Sequence, residues 1–130
     1  MDPTEALTDL KQISPQIQRA VIVRRDGVLE ASTLSDTAAA ERMARSAVAL
    51  YEAADRARDG LGRPELAQVE VAMRDASVFA VRDAQRLVCA VTDVDPTVGL
   101  IFYDLKTSLR SISEAGNDDT YPAEATDGEA

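Results

Sequence analysis

Histidine and tryptophan are absent from these 130 residues, cysteine occurs once, and lysine appears only at Lys11 and Lys106. Without histidine the chain lacks the commonest general base, the Ser-His-Asp and Cys-His arrangements, and the most frequent zinc ligand. A single cysteine excludes a disulfide within the chain. Its setting in "LVCAV" predicts that Cys89 is buried and packs as a small hydrophobe. No apolar run reaches eighteen residues, so no membrane-spanning helix is expected. Asp2 and Glu5 precede the first apolar residues, where a secretory signal would carry bases; a cytoplasmic protein is expected.

Positive charge is scarce too. A formal net charge of -9 and a pI near 4.4 repel phosphate backbones and anionic lipid, so neither nucleic acid nor a membrane surface is an expected partner. Motifs that would hold a cofactor are missing as well. Lys106-Thr107 imitates the end of a phosphate-binding loop, but Leu105 precedes it and the pair lies within a helical pattern. Gly60-Leu61-Gly62 lacks the third glycine of a dinucleotide fingerprint and follows a helix, which makes it a helix stop. Asp93 and Asp95 could approach one cation, yet Asp95-Pro96 reads better as a helix start. The expectation is a protein with no catalytic residues, no cofactor and no metal.

What is present is one ordinary domain, long enough to bury about two thirds of its unfolded surface. Asp2, Pro3 and Glu5 form a helix-start signature, and Leu7, Leu10, Ile13 and Ile17 mark one apolar face up to the region of Pro15. Ala20–Arg24 and Val28–Leu34 read as two strands joined at Asp26-Gly27, which supplies positive φ angles. Ser35-Asp36-Thr37 then opens a long helix that ends near Gly60. Leu66–Arg74 alternates, with Val69, Val71 and Met73 on one side and Gln68, Glu70 and Arg74 on the other, as a half-solvated antiparallel strand does. "SVFAVR" and "RLVCAVT" complete a three-stranded meander. A last helix from about Thr97 to Glu114 aligns Val98, Ile101, Phe102, Leu105, Leu109 and Ile112, with Gly116 as its stop. Residues 1–116 should therefore form the domain. The segment 117–130 holds five acids and no base, and is expected to be a disordered acidic tail.

The long helix carries more apolar surface than one neighbour requires. Ala40, Met43, Ala44, Ala47, Val48, Leu50, Tyr51, Ala54 and Ala57 cover about half its circumference, against a stripe of about 100° for a helix lying on one surface. A twofold-related copy of the same helix would cover the excess, with Ala40, Ala44 and Ala47 permitting close approach; Ala47→Glu is then expected to give monomers. The strand carrying Val69, Val71 and Met73 begins the meander. It should lie at a sheet edge, guarded only by Glu70 and Arg74, and open to pairing with its twin.

This order, with the hairpin "RDGVLEAS", the helix "AAAERMARSAVALYEAA", the strand "LAQVEVAM" and the run "LVCAVTDVDPTVGLIFYDL", resembles the Roadblock / dynein light chain family. Its relatives include bacterial and archaeal regulators of Ras-like GTPases. The resemblance spans Leu7 to about Ile112. It departs from the family at Pro15-Gln16, where relatives often carry Pro-Gly, and in its acidic tail. It implies an α+β, profilin-like sandwich of order α-β-β-α-β-β-β-α, with a five-stranded antiparallel sheet, the second helix on one face and the other two opposite. It also implies homodimers through the second helix and third strand, joined in a ten-stranded sheet that binds a small GTPase. Stimulation of GTP hydrolysis would then come from holding the GTPase's own residues, or from an arginine donated by Arg24, Arg25, Arg42 or Arg45. Two other roles fit the residues: a small-molecule sensor with a pocket lined by Phe79, Tyr103 or Cys89, and an oligomeric adaptor with no GTPase partner.

Overall fold

A computed structural model of the chain describes residues 1–62 and 67–120, the side chains of 114–120 excepted. The first helix, α1 (Pro3–Ile13), begins with the expected reciprocal cap. The Asp2 carboxylate accepts from the Glu5 N–H at 2.8 Å, and the Glu5 carboxylate accepts from the Asp2 N–H at 3.1 Å. Ala6, Leu7 and Leu10 are buried, whereas Ile13, at the last turn, is half exposed, and Ile17 belongs to the following strand. The strands β1 (Ile17–Arg24) and β2 (Leu29–Ser32) form the hairpin, with Gly27 at φ +98° in its turn. Asp26 holds that turn together: it accepts from the Val28 N–H at 3.3 Å and pairs with Arg24. "RDG" therefore serves to fold the chain back.

The helix α2 (Thr37–Leu61) is about 37 Å long. Asp36 caps its start by accepting from the Ala38 N–H at 3.0 Å. Gly62, at φ +64°, takes the left-handed stop expected near Gly60. Then come β3 (Gln68–Ala72), β4 (Ser77–Arg82) and β5 (Arg86–Thr92). β3 is shorter than the alternation suggested. Met73 donates to the Ala76 carbonyl at 2.8 Å and closes a tight turn over Arg74 and Asp75, while 63–66 lie outside the described residues. The last helix, α3 (Val98–Thr120), runs through Gly116 instead of stopping there: an interior glycine weakens a helix by about 1 kcal/mol without forbidding it. The tail expected at 117–130 is thus helical as far as Thr120, and 121–130 lie outside the described residues.

The five strands form one antiparallel sheet in the order β2-β1-β5-β4-β3, which leaves β3 at an edge as its sequence implied. Alternation divides the two faces. Ile22, Phe79, Val81, Val88 and Ala90 join α1 and α3 in one core; Val21, Val23, Ala80, Leu87 and Cys89 join α2 in the other. The Pro15-Gln16 departure has a structural role. Gln16 accepts from the Thr97 N–H at 2.9 Å and donates to the Thr97 hydroxyl at 3.1 Å, which fastens the start of β1 to the start of α3. The element order and the placement of one helix against two confirm the α+β sandwich.

Candidate functional site

The α2 face is only partly covered. Ala40, Ala44, Ala47 and Tyr51 are the fully buried residues of α2, a narrow strip that rests on the sheet of the same subunit. Their small side chains bring the helix close to its own strands; Ala47 is 1% exposed. Ala40, Ala44, Ala47 and Tyr51, expected at a subunit seam, are thus buried within the subunit itself. It also changes the reading of Ala47→Glu, which forces a carboxylate into the subunit's own core.

Beside that strip runs an apolar flank. Met43, Leu50 and Ala54 are half buried along one side of α2, and Val69 and Val71 of β3 are half buried on the same face of the sheet. Of these, Met43, Leu50 and Val71, together with Val78 of β4 and Val91 of β5, border an open groove of about 320 Å³ floored by Ala47 and Cys89. The structure thus brings Met43, Leu50 and Val71 to one place. Met73 lies just past β3 and is 48% exposed. Val78 and Val91 were hidden in sequence because "SVFAVR" and "RLVCAVT" read as nearly continuous apolar runs in which no face stands out. The edge of β3 borders the groove.

The far half of α2 is pinned by a polar strut. Arg82, on the α2 face of β4, grips both oxygens of Asp55, with Nη1 donating to Oδ2 at 3.0 Å. Its guanidinium carbon lies 4.3 Å from the centre of the Tyr51 ring, and the Tyr51 hydroxyl donates to the Ala67 carbonyl at 3.0 Å. Hydrogen bonding to Arg82 holds the Asp55 carboxyl below its usual range, whereas burial pushes the Tyr51 hydroxyl up and keeps it a donor. Burial also pushes the Cys89 thiol up to about 12, so it stays neutral and unreactive at physiological pH. Tyr51 and Asp55 stand four apart on α2, but nothing in the sequence ties them to Arg82.

The four candidate arginines are not one cluster. Arg24 pairs with Asp26 in the hairpin turn, and Arg25 donates to the Asp83 carbonyl at 2.6 Å, near the Asp55–Arg82 end of the sheet. Arg42 and Arg45 are exposed on α2, about 20 and 15 Å along the helix from Asp55. No single donated-arginine site gathers all four. The three residues offered as alternatives for a ligand pocket lie apart. Phe79 is fully buried on the α1–α3 face, Cys89 points to the α2 face from the neighbouring strand, and Tyr103 is 64% exposed on α3. Phe79 and Cys89 face opposite sides because adjacent strand positions in this register do so, and of the three Cys89 lines the groove beside α2. Asp93 and Asp95 are both exposed, and among the described residues no three histidine, cysteine, aspartate or glutamate side chains group as ion ligands. Among the described residues, too, no helix is long and apolar enough to cross a membrane.

Known proteins share this architecture. A Roadblock/LC7 domain from Streptomyces avermitilis superposes with a TM-score of 0.80 at 20% identity, over 88% of this chain and 98% of that one. Myxococcus xanthus MglB gives 0.76 at 12% identity, over 89% and 88%. Acanthamoeba castellanii profilin IB gives 0.54 at 16% identity, over 83% and 94%, which extends the likeness to the profilin fold. No curated protein matches the chain. At these identities the structural neighbours speak for the fold alone. The sequence itself matches the Roadblock/LC7 domain pattern from residue 3 to residue 93, from α1 through the last strand of the sheet, and on that match the chain belongs to the Roadblock/LC7 family.

Proposed function

We propose that this protein is a non-enzymatic homodimeric platform that binds a small Ras-like GTPase. One observation carries the reading: the half-covered flank of α2 adjoins the unpaired edge of β3, so that one continuous apolar surface ends in free backbone hydrogen-bonding groups. A second copy supplies both a strand for the edge and a helix flank for the groove. Isologous pairing satisfies both at once, because each subunit offers what the other lacks.

Family membership supports the GTPase as the further partner. Regulation would act by favouring one arrangement of the GTPase's switch loops. Light scattering on the purified protein tests the first half: the wild type has twice the subunit mass, and Leu50→Glu has the subunit mass. Pull-down of small GTPases in defined nucleotide states tests the second. Preference for one state supports a regulator. Equal binding to both leaves an adaptor, and binding of none rejects the GTPase reading.

A further inference from the structure

We propose that the crevice between α1 and α3 is a docking site for a helix of another protein that presents an arginine one turn from an apolar side chain. This crevice lies across the sheet from the α2 groove, so it stands apart from the dimeric reading above. The two helices run antiparallel and are fastened at both ends. Gln16 bonds to Thr97 at one end, and at the other the Met1 ammonium donates to the Ser111 carbonyl at 3.5 Å. Equal rise along both helices then sets Ile13 level with Leu100, Asp9 with Asp104, and Glu5 with Ser108. Helical spacing puts these residues at the seam. Asp9 and Ile13 follow Ala6, which is buried in the core the two helices share, and Leu100, Asp104 and Ser108 lead to Ser111, whose hydroxyl lies 3.8 Å from the Met1 sulfur.

The middle of the crevice lacks a donor. Asp104 is 6% exposed, and its Oδ2 is enclosed without a hydrogen-bond partner; the Oγ of Ser108, one turn on, is enclosed and unpaired in the same way. Buried polar atoms in folded proteins are nearly always paired, so two orphans side by side mark a place where a partner's donor belongs. The charge here is negative. Asp9 adds a second carboxylate at the level of Asp104, and neither forms an ion pair among the described residues. The nearby bases point elsewhere: Lys11 donates to the Ile17 and Gln18 carbonyls, while Lys106 and Arg110 line a hollow on the opposite flank of α3. One turn from the carboxylates, Ile13 and Leu100 are each 49% exposed and supply an apolar step. Arginine fits this pattern because its planar fork can meet a carboxylate with two N–H groups and still donate to an adjacent hydroxyl. On a docked helix, an apolar side chain four residues away would fall over Ile13 and Leu100, since the turn of about 5.4 Å is the same on both sides.

The probe is a capped helical peptide of alanine and glutamine that carries one leucine and, four residues on, one arginine. It would be titrated to millimolar concentration into isotope-labelled protein while backbone amide shifts are followed by NMR. The shifts are expected to gather in α1 and the first half of α3 and to saturate. Exchanging the peptide's arginine for glutamine, or Asp104→Asn in the protein, should raise the dissociation constant roughly fivefold or more. Asp75→Asn removes an equal charge from the exposed turn after β3 and should bind as wild type does, which separates recognition from the general pull of an acidic protein on a basic peptide. Leu100→Ser, at a half-exposed position, should also weaken binding and keeps the test open if Asp104→Asn fails to fold. The proposal is overturned by shifts centred on α2 or β3, by equal affinity for the arginine and glutamine peptides, or by undiminished binding to either folded variant. Absence of any shift at millimolar peptide overturns it as well.

Discussion

The two faces of the sheet are built from the same strands and finished to different degrees. On the α1–α3 face, among the described residues, sixteen buried residues from two helices and the strands form one core, with Phe79 and Phe102 edge to face at 5.1 Å between ring centres. On the α2 face, among the described residues, the buried cluster is eight, and half-buried valines border it on the β3 side. One helix about 10 Å across cannot roof a five-stranded sheet, whereas two can. The first face therefore carries the stability of the subunit. The second uses part of its apolar surface to hold α2 and leaves part half covered beside it.

This contrast can be broken by substitutions that should respect it. The largest effects fall on the strips that both faces keep for the subunit. Phe79→Ala, at a fully buried position, should cost about 3–5 kcal/mol in urea unfolding. Ala47→Glu should cost on the order of 4 kcal/mol and unfold the chain, not merely separate subunits, because the new carboxylate has no partner beneath α2. A soluble, folded Ala47→Glu monomer would show that this strip belongs to the interface instead.

A middle effect is expected at the strut. Asp55→Asn should cost about 1–2 kcal/mol, less than a fully buried pair because Asp55 is partly solvated. The Asp55 carboxyl titrates below its unfolded value, so its contribution is complete above about pH 4 and is lost as pH falls further. Wild type should thus lose stability in that acid range, and Asp55→Asn should show a shallower decline. An unchanged slope would deny the strut any energetic role.

The smallest effect on folding should come from the open flank. Leu50→Glu is expected to change unfolding of the subunit by less than about 1 kcal/mol while halving the mass in light scattering. Loss of stability on the scale of Phe79→Ala would mean that the flank is part of the folding core, and the distinction between the faces would fail.

Much of this was legible in the residues. The Asp2–Glu5 cap, the Gly27 turn and the position of β3 at an edge follow from local chemistry and strand order, and the structure has all three. The direction of the alanine strip was not legible. Helical spacing shows that Ala40, Ala44 and Ala47 share a side, but which flank the sheet takes depends on where the helix crosses it. Val78 and Val91 were missed for a related reason: in a strand buried on one face and half buried on the other, alternation fades. The grip of Arg82 on Asp55 joins residues 27 positions apart, beyond the reach of any periodic pattern.

The bare margin of β3 also bears on how the protein is made. A newly synthesised chain that has closed its α1–α3 side still presents the β3 margin as an adhesive ribbon to any extended segment nearby.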